Sequence, residues 1–215
     1  MPVTGSGDFV KTGDGTVVFA AGKCVTYSDA QVEVPTPSGT TTGGSKWQNR
    51  SEVACTDTTT ARFTGTSRVL GGTLRFVAGS IAADAARAFD VAAGATVDLS
   101  GAALAGTRLS GGGTVANATI ANAVIVAPTD DNVPTLDGVT LSGTVSVDFG
   151  RADGDPLPTP YPADLVVAKY TGADPDVSSW KATGTGRRGI KGQFSAANGQ
   201  VTATLSLNGC VLIFR

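Results

Sequence analysis

Apolar and polar residues alternate along this chain in runs of only three to five positions, and most runs end at Gly, Asn or Ala. Alternation with a period of two predicts strands that bury one face and expose the other. The pattern is most regular over residues 89–149. Short strands that recur at roughly 20 residues per circuit predict a β-solenoid, with one apolar row facing the core and Thr and Ser outside. The chain is therefore predicted to be all-β.

The C-terminal part has a different pattern. Asn198-Gly199 and Asn208-Gly209 separate alternating runs, and Asn-Gly is typical of the type I′ turns that join antiparallel strands. An antiparallel meander would cover the last coil, whose strand edges and apolar core are otherwise exposed. We therefore predict a solenoid over residues 1–163 and a capping meander over residues 164–215, both within one domain.

A long polar excursion interrupts the first coils at about residues 31–62. It is rich in Pro, Thr and Gly, and loops of this length in compact domains are commonly functional. Lys46, Trp47 and Arg50 lie close together within it and form the first candidate contact surface. The alternative is that Trp47 folds back over the end of the core. Trp180, in a predicted loop, is a second candidate binding residue.

The three cysteines fit no metal motif, and the chain contains no histidine. Cys24 and Cys55 flank the excursion and are a candidate disulfide pair if the protein is exported. We expect neither a metal site nor a cofactor.

Composition narrows the class of protein. With 41% hydrophobic and 16% charged residues, the 215 residues are sufficient for a sizeable core, so the composition favours a folded chain over a disordered one. A net charge of −2 argues against binding to nucleic acid or to an anionic membrane. No apolar run reaches the ~18 residues that a membrane span requires. The beginning of the chain lacks signal-peptide features, so it is either cytosolic or, as we expect, trimmed from a longer exported chain.

Catalytic chemistry has little support in the sequence. Without histidine, Ser-His-Asp and Cys-His arrangements are excluded. Neighbouring aspartates in Pro- and Asn-containing loops are typical of turns; these are Asp130, Asp131, Asp153 and Asp155. Four charged residues are expected to project from strand faces without a spacing that defines a site: Asp90, Asp98, Arg108 and Asp148.

Several motifs together resemble the passenger-associated strand repeat of bacterial autotransporters. They are Lys11-Thr12-Gly13-Asp14-Gly15-Thr16, Thr26-Tyr27, Thr64-Gly65-Thr66, Gly71-Gly72-Thr73-Leu74 and, further on, Gly111-Gly112-Gly113-Thr114-Val115. The excursion departs from that repeat, because it separates Thr26-Tyr27 from Thr64-Gly65-Thr66. The resemblance implies a right-handed parallel β-helix, secreted or displayed on the surface of a bacterium.

The leading functional hypothesis is a non-enzymatic β-solenoid that serves as a structural stalk or adhesin. Its partner would be a surface glycan or a host or cell-surface protein. A carbohydrate-binding or carbohydrate-active β-helix is the alternative, and it requires convergent charged residues beside Trp47 or Trp180. A phage or viral fibre segment is a third hypothesis, which requires a trimer. The sequence leaves the oligomeric state open.

Overall fold

The computed structural model describes residues 3–22, 24–28, 34–36, 39–41, 49–53, 60–82, 87–128, 132–150, 161–185 and 190–207. Only the backbone is described for 3–4, 24–28, 34–36, 39–41 and 49–53. These residues form strands and no helix, so none of them belongs to a helix that could cross a bilayer. The all-β prediction is confirmed for this part of the chain.

The strands of the N-terminal part are β1 (Val3–Gly5), β2 (Phe9–Lys11), β3 (Thr16–Phe19), β4 (Cys24–Ser28), β5 (Val34–Thr36), β6 (Gly39–Thr41), β7 (Asn49–Val53), β8 (Ala61–Phe63), β9 (Thr66–Val69) and β10 (Thr73–Phe76). The middle of the chain contains β11 (Ala88–Val91), β12 (Thr96–Ala105), β13 (Arg108–Ser110), β14 (Thr114–Ala121), β15 (Val124–Val126), β16 (Thr135–Ser142) and β17 (Ser146–Asp148). The last strands are β18 (Ala163–Tyr170), β19 (Lys181–Thr183), β20 (Ile190–Ala197) and β21 (Gln200–Leu207).

Two large sheets contain most of these strands. Sheet I has seven strands in the order β19-β17-β15-β13-β11-β9-β2, and all its ladders are parallel. Sheet II has eight strands in the order β20-β21-β18-β16-β14-β12-β10-β3, and it is parallel from β3 to β18. From β9 to β19 the chain passes alternately between the two sheets, so it advances by one strand in each sheet per circuit. This architecture is solenoid-like, as the short repeating strands predicted.

The circuits are short and closely in register. In sheet II, Thr73 pairs with Thr96, Thr96 with Thr114 and Thr114 with Thr135, which are steps of 23, 18 and 21 residues. These steps agree with the predicted circuit of roughly 20 residues. Because equivalent positions stack, each strand continues the inward and outward rows of its neighbours.

The inward rows form the core. In sheet I the row is Phe89, Leu109, Ile125 and Val147, and in sheet II it is Leu74, Val97, Val115 and Leu136. All eight side chains are buried. Full burial of an aliphatic or Phe side chain stabilises a fold by about 1.5–3 kcal/mol. The stacked rows are therefore the main source of stability in this part of the chain.

The Gly- and Thr-rich segments at residues 5–19 and 64–76, which carry most of the repeat motifs, lie in neighbouring coils. β2 pairs with β9 and β3 with β10, so that Lys11 lies beside Val69 and Thr16 beside Thr73. The coils approach closely at their corners, because a Cβ atom added at Gly65 would overlap the carbonyl oxygen of Gly7. The sequence similarity therefore reflects one corner geometry used in two successive coils.

The chain leaves sheet II after Phe19 and next pairs with the N-terminal part at Ala61, where β8 begins beside β1. From here on, the excursion means this whole intervening segment, which includes β4 as well as the predicted residues 31–62. Within it, β4 pairs antiparallel with β7, and β5 pairs antiparallel with β6. These strands share no ladder with sheet I or sheet II. At its base, the Thr60 hydroxyl donates a hydrogen bond of 2.7 Å to the carbonyl oxygen of Ala20. The excursion thus contains separate antiparallel ribbons, and the hydrogen bond between Thr60 and Ala20 joins its two ends.

The C-terminal end is covered by an antiparallel cap. β21 pairs antiparallel with β18 and with β20, and the β20–β21 connection is Asn198-Gly199. Both turn residues have positive φ, 53° and 73°, as a type I′ turn requires. This part of the predicted meander is confirmed, whereas Asn208-Gly209 and the residues after it lie outside the described part.

Candidate functional site

The predicted contact residues of the excursion fall largely outside the described residues. Lys46 and Trp47 of the candidate contact surface lie outside the described part of the chain, and so does Cys55 of the candidate disulfide. Arg50 lies on β7 opposite Tyr27, and Cys24 lies on β4 opposite Val53, two positions before Cys55 in the chain. The contact surface and the Cys24–Cys55 disulfide therefore stay predictions.

Trp180 is described and is mostly interior. It is 6% exposed and packs on Phe194 of the cap, with the two ring centroids 5.8 Å apart. It ends a turn in which its amide donates to the carbonyl oxygen of Val177 at 3.1 Å. The indole therefore anchors the loop before β19 against the cap.

Three of the four projecting charged residues lie on the outer face of sheet I. Arg108 on β13 forms an ion pair with Asp148 on β17, with Nη2 and Oδ2 2.9 Å apart. The Ser110 hydroxyl is 3.2 Å from Oδ1 of Asp90, to which it donates. The Arg108–Asp148 pair crosses the intervening strand β15, so it connects coils rather than forming a cleft.

Asp98 lies on the outer face of sheet II and accepts several hydrogen bonds. Oδ1 accepts from the Ser100 amide at 2.9 Å and from the Asn117 side-chain amide at 3.0 Å, and Oδ2 is 3.4 Å from Nε of Arg75. Partial burial tends to raise the pKa of Asp98. The hydrogen bonds from Asn117 and Ser100, together with the Arg75 charge, outweigh it, so the pKa is lowered from 3.8. Asp98 is held as a carboxylate.

The spacing of these carboxylates does not suit glycoside hydrolysis. Asp90 is on β11 and Asp148 is on β17, with β13 and β15 between them in sheet I. Asp90 aligns with Ser110 and Asp148 with Val126, so the two aspartates lie in one row, three strand spacings apart. At about 4.8 Å per strand this is about 14 Å along the sheet. The two carboxyls of a glycosidase lie about 5–5.5 Å or 6.5–9.5 Å apart. Asp98 is on the other sheet, so the three carboxylates do not converge.

The remaining acidic candidates give no metal site in the described part of the chain. Asp130, Asp131, Asp153 and Asp155 lie outside it. Among the residues that are described, no three His, Cys, Asp or Glu side chains come together in a way that could hold an ion.

A buried lysine was not singled out by the sequence pattern. Lys11 is 4% exposed, and its Nζ donates to the carbonyl oxygens of Thr12, Gly13 and Gly71 at 2.9, 2.5 and 2.9 Å. These three acceptors match the three donors of an ammonium group. Lys11 is therefore a structural cation that joins the corners of the first two coils. Its inward position in β2, after inward Phe9 and outward Val10, is the only sequence feature that indicates burial.

A surface cavity lies where the loop before β19 meets the cap. Its volume is about 410 Å³, and its described lining residues are Val177, Ser178, Trp180, Gly192, Gln193 and Phe194. It combines two aromatic rings with an amide and a hydroxyl, and none of these six side chains is ionisable. The sequence indicated Trp180 alone, because Gly192, Gln193 and Phe194 belong to β20 and meet the loop of Trp180 only through the fold.

The architecture and these surfaces define a solenoid-like all-β protein with a separate antiparallel excursion near one end. Comparisons with known protein families, curated proteins and solved structures find no match to this chain.

Proposed function

We propose that this chain is a non-enzymatic bacterial cell-surface or secreted β-solenoid, a right-handed parallel β-helix that acts as a structural stalk or adhesin. The parallel ladders from β3 to β18 and from β2 to β19 support this proposal, because continuous backbone pairing makes a stiff support. Ion pairs on the outer faces also connect coils, as Arg75 does with Asp98 and Arg108 with Asp148.

The observation that carries the proposal is the independence of the excursion. β3 pairs with β10 and β2 with β9, so the first two coils stack although the chain leaves and returns between them. The strands of the excursion pair only with one another in the described part of the chain. A segment that the sheets do not need for their ladders is suited to contacting a partner. In this proposal Lys46, Trp47 and Arg50 bind a surface glycan or a host or cell-surface protein.

The motif resemblance is the reason for placing the protein at a bacterial surface. The corners that carry Gly13, Gly15, Gly71 and Gly72 are stacked neighbours, as expected if the repeat specifies winding. The proposal includes no cofactor.

The test replaces residues 23–59 with a short Gly-Ser linker. The variant should keep the far-ultraviolet circular dichroism of a β-protein and a similar thermal midpoint, because the main ladders remain. Trp47→Ala in the full chain should weaken binding on a glycan array and to intact host cells, and the linker variant should lose every signal that Trp47→Ala weakens. Retention of full binding by the linker variant would overturn the adhesin role, and unfolding of that variant would overturn the independence of the excursion.

A further inference from the structure

The cavity beside Trp180 lies in the C-terminal cap, far along the chain from the excursion. One side is the turn of residues 177–180, and the other is the middle of β20. Its volume of about 410 Å³ lies in the lower part of the range of about 300–1,000 Å³ that is typical of small-molecule sites. The size therefore suits a small ligand or one unit of a larger one.

The walls of the cavity are fixed by hydrogen bonds and by packing. Trp180 N donates to Val177 O at 3.1 Å, and the hydroxyl of Ser179 donates to Gly143 O at 2.9 Å. On the opposite side, β20 is held close to β19 at Gly192, where an added Cβ would crowd the Cβ of Ala182. A cavity formed in this way needs little reordering when a ligand enters, which favours binding.

The lining chemistry indicates the ligand class. Phe194 is half-buried and is backed by Trp180, so it offers an apolar aromatic surface. Ser178 and Gln193 are exposed at the rim. The Ser178 hydroxyl donates to Asp176 and so can accept from a ligand, and the Gln193 amide can both donate and accept. With no ionisable lining side chain among these residues, a charged ligand would find no counter-charge there. The Asp176 carboxylate next to the rim, which accepts from Ser178 N at 2.9 Å, disfavours anions.

From this combination we infer that the cavity binds a neutral sugar or one neutral sugar unit of a glycan. The C–H face of the ring would lie on Phe194, and its hydroxyls would exchange hydrogen bonds with Gln193 and Ser178. This site differs from the excursion in position and residues. Sugar binding in this cavity does not depend on the stalk or adhesin function proposed above.

The experiment uses the full chain with Trp47→Phe, which leaves Trp180 as the single tryptophan. Fluorescence and amide chemical shifts are followed during titration with glucose, galactose, N-acetylglucosamine and maltose, and with glucuronate as the anionic comparison. At least one neutral sugar should give saturable changes with a Kd on the order of 1 mM. The shifts should concentrate at residues 176–180 and 192–194, and glucuronate should bind more weakly.

Variants at the rim distinguish binding in this cavity from sugar effects elsewhere on the protein. Gln193→Ala and Ser178→Ala should each raise Kd by about twofold to tenfold, as expected for loss of one hydrogen bond. Ser195→Ala is the matched control, since it is exposed on the same strand but outside the cavity lining, and it should leave Kd unchanged. Non-saturating shifts with every neutral sugar, or saturation that neither rim variant alters, would overturn the inference. The linker variant of the excursion should bind sugar here unchanged, so either proposal can fail without the other.

Discussion

Nζ of Lys11 in the first coil donates a hydrogen bond of 2.9 Å to the carbonyl oxygen of Gly71 in the second coil. The same ammonium group donates to Thr12 and Gly13, and so it ties the corner of β2 to the corner that follows β9. Because Lys11 is buried, these carbonyl oxygens are screened from water on the side that the ammonium group covers. A cation is therefore part of the inter-coil packing at this end.

Lys11→Met should destabilise the protein by about 1–3 kcal/mol, because it keeps most of the side-chain volume and leaves buried carbonyl oxygens without their donor. The free energy of unfolding in urea measures this loss. Lys191→Met, at an exposed position of β20, is the control and should change stability by less than about 0.5 kcal/mol. Equal effects of the two substitutions would contradict the structural role of Lys11.

Gly72→Ala should destabilise much more than Gly94→Ala. Both glycines lie in corners that lead into sheet II strands and have positive φ, 61° and 79°. A Cβ at Gly72 would overlap the backbone of Asp14 and Gly15 in the preceding coil, whereas a Cβ at Gly94 has open space. Gly94→Ala should cost about 1–2 kcal/mol for its backbone conformation alone. Gly72→Ala should cost about 2–5 kcal/mol, because overpacking adds to that strain. Similar unfolding free energies for the two variants would show that the coils are not in close contact there.

Asp98→Asn should alter the dependence of stability on acid. The folded pKa of Asp98 is lowered from 3.8, so its ionised form stabilises the folded state above pH 3.8. That stabilisation is lost as the pH falls through the lowered folded pKa. Urea midpoints measured from about pH 5 to about pH 2 should therefore fall less steeply in Asp98→Asn than in the wild-type protein. If the Asp98→Asn midpoints fall as steeply as those of the wild-type protein, the lowered folded pKa of Asp98 is contradicted.

The Arg108–Asp148 ion pair should contribute little to stability. Its side chains are 46% and 23% exposed, so water and salt screen the attraction. A double-mutant cycle with Arg108→Ala and Asp148→Ala should give a coupling free energy of about 0.2–1 kcal/mol, smaller in high salt. A coupling well above this range would mean that the pair is more shielded than its exposure indicates.

Local residue patterns determined much of the architecture. Alternation such as Thr-Val-Asp-Leu at 96–99 specifies an inward and an outward face, whichever strand pairs with it. Asn198-Gly199 specifies its turn because both residues tolerate positive φ. These preferences depend on neighbours in sequence, so the strands, the circuit length and the first hairpin of the cap could be predicted.

Only the tertiary structure decided which residues meet across coils. The pairing of Thr16 with Thr73 depends on 57 positions of chain, most of them in the excursion, returning to one register. The burial of Lys11 depends in part on the carbonyl group of Gly71 in the next coil, a backbone acceptor that any residue type would provide. The separation of Asp90 from Asp148 depends on the strand order of sheet I. The cavity beside Trp180 likewise requires β20 to pack on a loop that precedes it in the chain. Such contacts are set by the stacking of whole coils, which favours the register that buries the most apolar surface.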